Sequence, residues 1–250
     1  MTIEYIMPAL WGIVLLASFI GYGAFLRSLL YDDERIGWAN EAAWGMAFII
    51  IIIGLLNSLF VISRPLILVL IAAGALYALI DKIDQRYRSV ALLNSLRGIV
   101  REHPQRSMLM PALGYGIVLA LVVVQYLGTV VYMSIAVRDD LLGYFAFPKQ
   151  MLESGGIISD PFSGFRLANG LGGQAALHVL MLALSDFRNF HLLDGGVALL
   201  ICAGLVYRIG CEQRLASPWK WVLLLMFLSI PYYPELRINS SSFTTGMVMF

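Results

Sequence analysis

The chain reads as an all-α, polytopic transmembrane helical bundle, and three observations point there. Apolar residues make up 60% of its 250 residues and charged ones only 13%, about half the charged share of an ordinary soluble domain. The apolar residues gather into runs, and a run of about 18 or more with few charges crosses the hydrocarbon as a helix. The weakly alternating ten-residue segments that mark a membrane β-barrel are absent from the sequence. Helices follow from the solvent itself, because lipid offers backbone N–H and C=O groups no partner and each segment must satisfy its own.

The first run covers residues 6–30. Glu4 precedes it with no Lys or Arg before Pro8, so it lacks the basic start of a secretory signal and is expected to stay as an anchor. A polar turn, residues 31–40, holds Asp32, Asp33, Glu34 and Arg35. A second run covers residues 42–62, Ser63-Arg64-Pro65 breaks it, and a third covers residues 66–80. Residues 81–110 differ: Lys82, Arg86, Arg88, Arg97, Arg101 and Arg106 stand against three acids. Val90, Leu93, Leu96 and Val100 recur there at helical spacing, which predicts a helix lying on the membrane surface with its arginines toward headgroups.

A fourth run, residues 112–137, leads into a loop, residues 138–174. The apolar stretch 175–184 is too short to cross and is expected to lie half-buried in the outer leaflet, whereas 192–207 is read as a crossing. A basic turn, residues 208–220, opens a further run, 221–233. Residues 243–250 are turning apolar again where the sequence stops, which predicts that this is the N-terminal part of a longer protein. Two units are expected: an N-terminal membrane module with its basic linker, residues 1–110, and the start of a second membrane domain, residues 111–250.

Orientation comes from Lys and Arg, which accumulate in short cytoplasmic loops. With the basic residues 81–110 inside, the Arg64 turn and the loop 138–174 fall outside. The basic turn 208–220 then also falls inside, provided that the chain crosses once between Gln174 and Arg208. Residues 231–242 return to the outer face.

Most single residues carry little chemistry. Net charge is +1, so nothing suggests a nucleic-acid partner and none is expected; membrane lipids are the expected surroundings. Cys202 and Cys211 are too few for a disulfide framework or zinc site. His178 and His191 lack a paired ligand motif. Asn57 and Gln125 lie inside spans, where polar groups serve either function or interhelix hydrogen bonding. Trp11, Trp38, Trp44, Trp219 and Trp221 fall mostly at span ends, as an aromatic belt would.

The outer loop is different. It opens on Arg138-Asp139-Asp140, continues through Tyr144, Lys149, Glu153, Gly155 and Gly156, and reaches Asp160, Phe165 and Arg166. Adjacent carboxylates at the water–membrane boundary repel one another and lose solvation, which raises one pKa and makes a usable base. Asp139 and Asp140 also suit the cap of a helix beginning near Leu141. Both readings stand on the residues alone.

The stretch from about Tyr115 to Phe250 resembles the GT-C glycosyltransferases, polytopic enzymes that take sugars from polyprenyl-phosphate donors. In that fold a span opens a loop with an acidic pair, a Tyr follows, then an amphipathic helix ending at Gly, here Lys149 to Gly155, and a short helix along the membrane. Residues 1–110 are then an added module. This chain has Asp-Asp where the family often has Asp-Glu, and Gly170-Leu171-Gly172-Gly173-Gln174 where many members have Pro-Pro-Leu.

The resemblance implies transfer from a polyprenyl-phosphate-linked sugar to a lipid or glycan acceptor on the outer face of the cytoplasmic (inner) membrane. A loop carboxylate removes or orients the acceptor proton. Matching Tyr144 to the family tyrosine assigns that role to Asp140; matching the pair as a pair assigns it to Asp139. Cations for the departing phosphate come from Arg138, Lys149, Arg166 and Arg237, since arginine binds phosphate bidentately. Glu235 is the second acidic position, and Gln174 could bind a sugar hydroxyl. A divalent metal ion is the one cofactor left open. The rivals are a transporter or lipid flippase, with ionisable groups buried mid-span and broken helices, and an envelope polysaccharide polymerase relying on outer-loop arginines.

Overall fold

A computed structural model describes residues 3–30, 37–96, 109–131, 145–157, 173–186 and 189–229, and every regular element among them is helical. The helices are α1 (Ile3–Leu30), α2 (Trp38–Ser58), α3 (Arg64–Leu96), α4 (Leu109–Val131), α5 (Ala146–Ser154) and α6 (Gly173–Leu182). A π-helical segment (Leu192–Ala198) then runs into α7 (Leu199–Glu212), and α8 (Ser217–Ser229) follows. Four stretches are long and apolar enough to cross a membrane: Tyr5–Leu30, Trp38–Ser58, Arg64–Lys82 and Leu192–Glu212. Gly116–Thr129, Gly173–Leu182 and Trp219–Ser229 are shorter apolar helices among the described residues.

Two helices depart from the expected pattern. The third does not end at Asp81 but continues as one helix to Leu96, so Val90, Leu93 and Leu96 belong to the span's own helix and not to a separate one on the membrane surface. The change at Asp81 is one of polarity alone. No Gly or Pro stands between Gly74 and Gly98, so nothing in the backbone chemistry stops the helix there. The short helix α6 is the second departure. Ala176, Leu177, His178, Val179, Leu180 and Met181 are all buried, so α6 is enclosed by protein on every side, whereas an interfacial helix keeps one face wet.

Helix α1 is the centre of the N-terminal module, with α2 along one side and α3 along another. Glycines permit backbone contact. A Cβ on Gly21 would strike the Gly74 carbonyl of α3, one on Gly23 the Glu41 backbone of α2, and one on Gly45 the Phe19 carbonyl of α1. Lipid removes the hydrophobic drive between helices, and small residues replace it by letting backbones approach. Leu15, Phe19, Met46, Ile49, Ile67 and Ile71 fill the remaining space and are fully buried.

Charges close one end of this trio. Arg27 Nε lies 2.9 Å from Glu41 Oε1, and Arg27 Nη2 donates to Asp81 Oδ1 at 3.0 Å. The Glu41 side chain is only 3% exposed, a burial that a carboxylate tolerates when a guanidinium faces it. Arg208 lies against Gly37 at this same end.

Polar side chains join the later helices to α1 and to one another. Trp11 Nε1 donates to the Leu180 carbonyl at 3.0 Å, Tyr126 Oη to that of Ala9 at 2.6 Å, and Gln125 Nε2 to that of Leu228 at 3.1 Å. Gln125 is therefore an interhelix link. Trp11 is buried among protein, unlike a belt tryptophan, while Trp38 and Trp219 are exposed as a belt requires.

Two stability predictions follow from these contacts. Gly45→Ala should cost about 1–3 kcal/mol through overpacking, whereas Gly54→Ala, where a Cβ meets nothing within 4 Å, should be neutral or stabilise by about 0.5–1 kcal/mol; thermal unfolding in detergent distinguishes them. Arg27→Gln should cost about 3 kcal/mol by stranding Glu41, and pairing it with Glu41→Gln should recover most of the loss in the same assay.

Candidate functional site

At the opposite end from Arg27, two helix C-termini lock together. Helix α2 ends in a Schellman arrangement: Val61 N donates to Leu56 O at 3.2 Å and Phe60 N to Asn57 O at 3.1 Å. Phe60 holds the left-handed position with φ 56°, where glycine is usual and a side chain costs on the order of 1–2 kcal/mol. Helix α5 ends at Gly155, also left-handed, with φ 80°. A Cβ on Gly155 would meet the Phe60 carbonyl.

Two hydrogen bonds tie these ends: Ile62 N to Gly155 O at 2.9 Å, and Ile157 N to Asn57 Oδ1 at 2.8 Å. Asn57 is thus a link between the end of α2 and the residues that follow α5. The predicted amphipathic helix ending at glycine is therefore present as α5, with Phe147, Pro148 and Met151 buried and Lys149 and Glu153 exposed.

This frame shapes a cleft of about 660 Å³ between the start of α3, one face of α5 and the end of α6. Its walls are Phe145, Leu152 and Leu182, and its charges are Arg64, Lys149 and Glu153. Arg64 opens α3 and Pro65 follows it, a residue suited to a helix's first turn. Arg64 has no ion-pair partner among the described residues. Lys149 Nζ stands 3.8 Å from Glu153 Oε1, with side chains 69% and 63% exposed, a loose pair contributing little. Behind the wall, Phe145 packs on Phe190 at 4.7 Å between ring centroids, and His178 stacks on Phe190 at 4.4 Å. His178 is a buried packing residue with an aromatic neighbour on its face.

Of the residues singled out from sequence, Lys149 lines this cleft. Gln174 does not: it is half-buried in the first turn of α6, next to Gly173, which faces Ile50 of α2. Leu182, which does line the cleft, is roughly 12 Å farther along that helix. Asp139, Asp140, Tyr144, Arg166, Glu235 and Arg237, with Arg138, lie outside the described residues. Among the described residues no three His, Cys, Asp or Glu gather where a metal ion could be held.

Sequence reasoning missed Arg64. The signal was available, since charge counting already set the Arg64 turn on the same face as the loop 138–174. Asp194 was missed as well: it is a half-buried carboxylate in the π-helical segment of a span.

No protein-family model, curated protein or solved structure matches the chain. The class of protein rests on what the fold and site define. Its described residues form a helical protein with helices long and apolar enough to cross a membrane, and a cationic, apolar-walled cleft opens at one end.

Asn57→Ala should leave the Ile157 N–H unsatisfied, at about 1–3 kcal/mol. The expected result is faster hydrogen exchange at residues 155–157 than elsewhere in the bundle, read by mass spectrometry.

Proposed function

We propose that this chain belongs to a membrane glycosyltransferase that moves a sugar from a polyprenyl-phosphate donor to a lipid or envelope-glycan acceptor. The reaction is placed at the outer face of the cytoplasmic membrane. The observation that carries the reading is the cleft itself, where Arg64 and Lys149 flank apolar walls. An anionic phosphate on a hydrocarbon chain has that mixed character. Lys149 also stands nine residues after Asp140 in the same loop.

In this reading the acceptor hydroxyl attacks the anomeric carbon of the sugar. The new C–O bond forms as the bond to the phosphate oxygen breaks, with inversion. Asp140, or Asp139, takes the hydroxyl proton. Arg64 and Lys149, joined by Arg166 and Arg237, meet the charge that grows on the departing phosphate, where fixed cations act most strongly in a site of low dielectric.

A transporter or flippase is the second reading, and one observation favours it. Asp194 sits in a π-helical segment within a span, and both a π turn and an intramembrane carboxylate recur at functional sites. Transfer of radiolabelled sugar from polyprenyl-phosphate donors, with the full-length protein in membranes, separates the two. Asp140→Asn is expected to lower transfer by about 10²–10⁴-fold without affecting insertion, while Asp194→Asn leaves the chemical step intact. No transfer from any donor, or full activity in both Asp139→Asn and Asp140→Asn, sinks the enzyme reading in favour of transport.

A further inference from the structure

The cleft is built across a boundary that the sequence draws between two units. One wall and one cation come from the loop, as α5. The other cation, Arg64, belongs to α3 of the N-terminal module, and the turn before it bonds directly to the end of α5 through Ile62 and Asn57. An N-terminal module serving only as an anchor needs neither an arginine in the cleft without an ion-pair partner among the described residues nor a bonded seam to the loop.

The turn's surface is apolar and lies next to the cleft arginine. Leu59, Phe60 and Val61 are 69%, 55% and 47% exposed, forming an apolar tip beside Arg64, and Leu184, past the end of α6, is 50% exposed. Phe60 holds its left-handed backbone at a cost that glycine would avoid. Strain kept at an exposed aromatic is a pointer to use.

We propose that the N-terminal module is part of the substrate site. Arg64 and Lys149 together hold the phosphate of a prenyl-phosphate lipid, and the apolar tip of Leu59, Phe60 and Val61 is the surface along which its hydrocarbon enters from the bilayer. This rests on the glycosyltransferase reading for the identity of the lipid, and on the cleft alone for its chemistry. Charge complementarity selects the occupant: among the described lining residues two cations stand against one carboxylate, which suits a phosphate carried on a lipid, and apolar walls and tip suit a chain that never leaves the membrane. The volume of about 660 Å³ is within the usual range for small-ligand sites, roughly 300–1,000 Å³. Glu153 is the internal competitor for Lys149, held too loosely to exclude a phosphate.

The test uses the full-length protein in nanodiscs of zwitterionic lipid, with farnesyl phosphate as probe and binding followed by native mass spectrometry. Farnesyl phosphate should bind, and farnesol and inorganic phosphate should bind at least about tenfold more weakly. Arg64→Gln and Lys149→Gln should each weaken binding about tenfold or more, with Arg64→Lys recovering part of it. Phe60→Ser should weaken the farnesyl compound and leave inorganic phosphate unchanged. Glu153→Gln should tighten binding by roughly two- to fivefold.

Unchanged binding in Arg64→Gln with an unchanged melting temperature overturns the proposal, as does equal binding of inorganic phosphate. Arg64-dependent binding without sugar transfer from any donor leaves this site standing and removes the enzyme reading. Sugar transfer that ignores Arg64→Gln and Phe60→Ser does the reverse.

Discussion

Backbone contact between α1 and its two neighbours is the constraint on which the rest of the molecule depends. In lipid, side chains gain nothing by hiding from water against one another, so helices hold together by closeness and by polar links. Gly21, Gly23, Gly45 and Gly74 provide that closeness. The distal ends of α2 and α3 then have fixed positions, and those ends are what the cleft needs: Asn57 and Phe60 on one, Arg64 on the other. A packing choice near Gly21 thus sets where a guanidinium stands at the far surface.

The same scarcity of water governs the polar groups. Arg27 binds two carboxylates from two helices because Glu41 has almost no contact with solvent to fall back on. At the other end the situation is inverted. Arg64 and Lys149 stand open, and among the described lining residues the acid is Glu153, loosely held by Lys149. One cluster is closed by its own countercharges and is structural; the other carries surplus positive charge in an apolar-walled recess and invites an anion.

Much of the helical framework was legible in the sequence because apolar run length is a direct measure of bilayer thickness. Helix α5 was legible too, since Gly155 punctuates an amphipathic stretch and takes the left-handed cap. Helix α3 was misjudged at Asp81 because polarity was read as a stop, when only backbone chemistry ends a helix. Helix α6 was judged by its length, although six consecutive residues without a wet face describe an enclosed helix. The Arg27–Glu41–Asp81 cluster had no periodic signature, since its members are joined across 54 residues from Arg27 to Asp81. The acidic pair Asp139 and Asp140 lies outside the described residues, so only the cationic side of the candidate site is read from geometry.

The unbroken length of α3 has a mechanical consequence. At 33 residues it is a rod of about 50 Å, longer than the hydrocarbon layer, with Arg64 at one tip. It is tied to α1 along its length, at Leu70 by the Tyr22 hydroxyl, at Gly74 by backbone contact and at Asp81 by Arg27. One unbroken helix thus carries the Arg27 cluster at one level and the cleft arginine at another, so whatever sets the axis of α3 at Asp81 also sets where Arg64 stands.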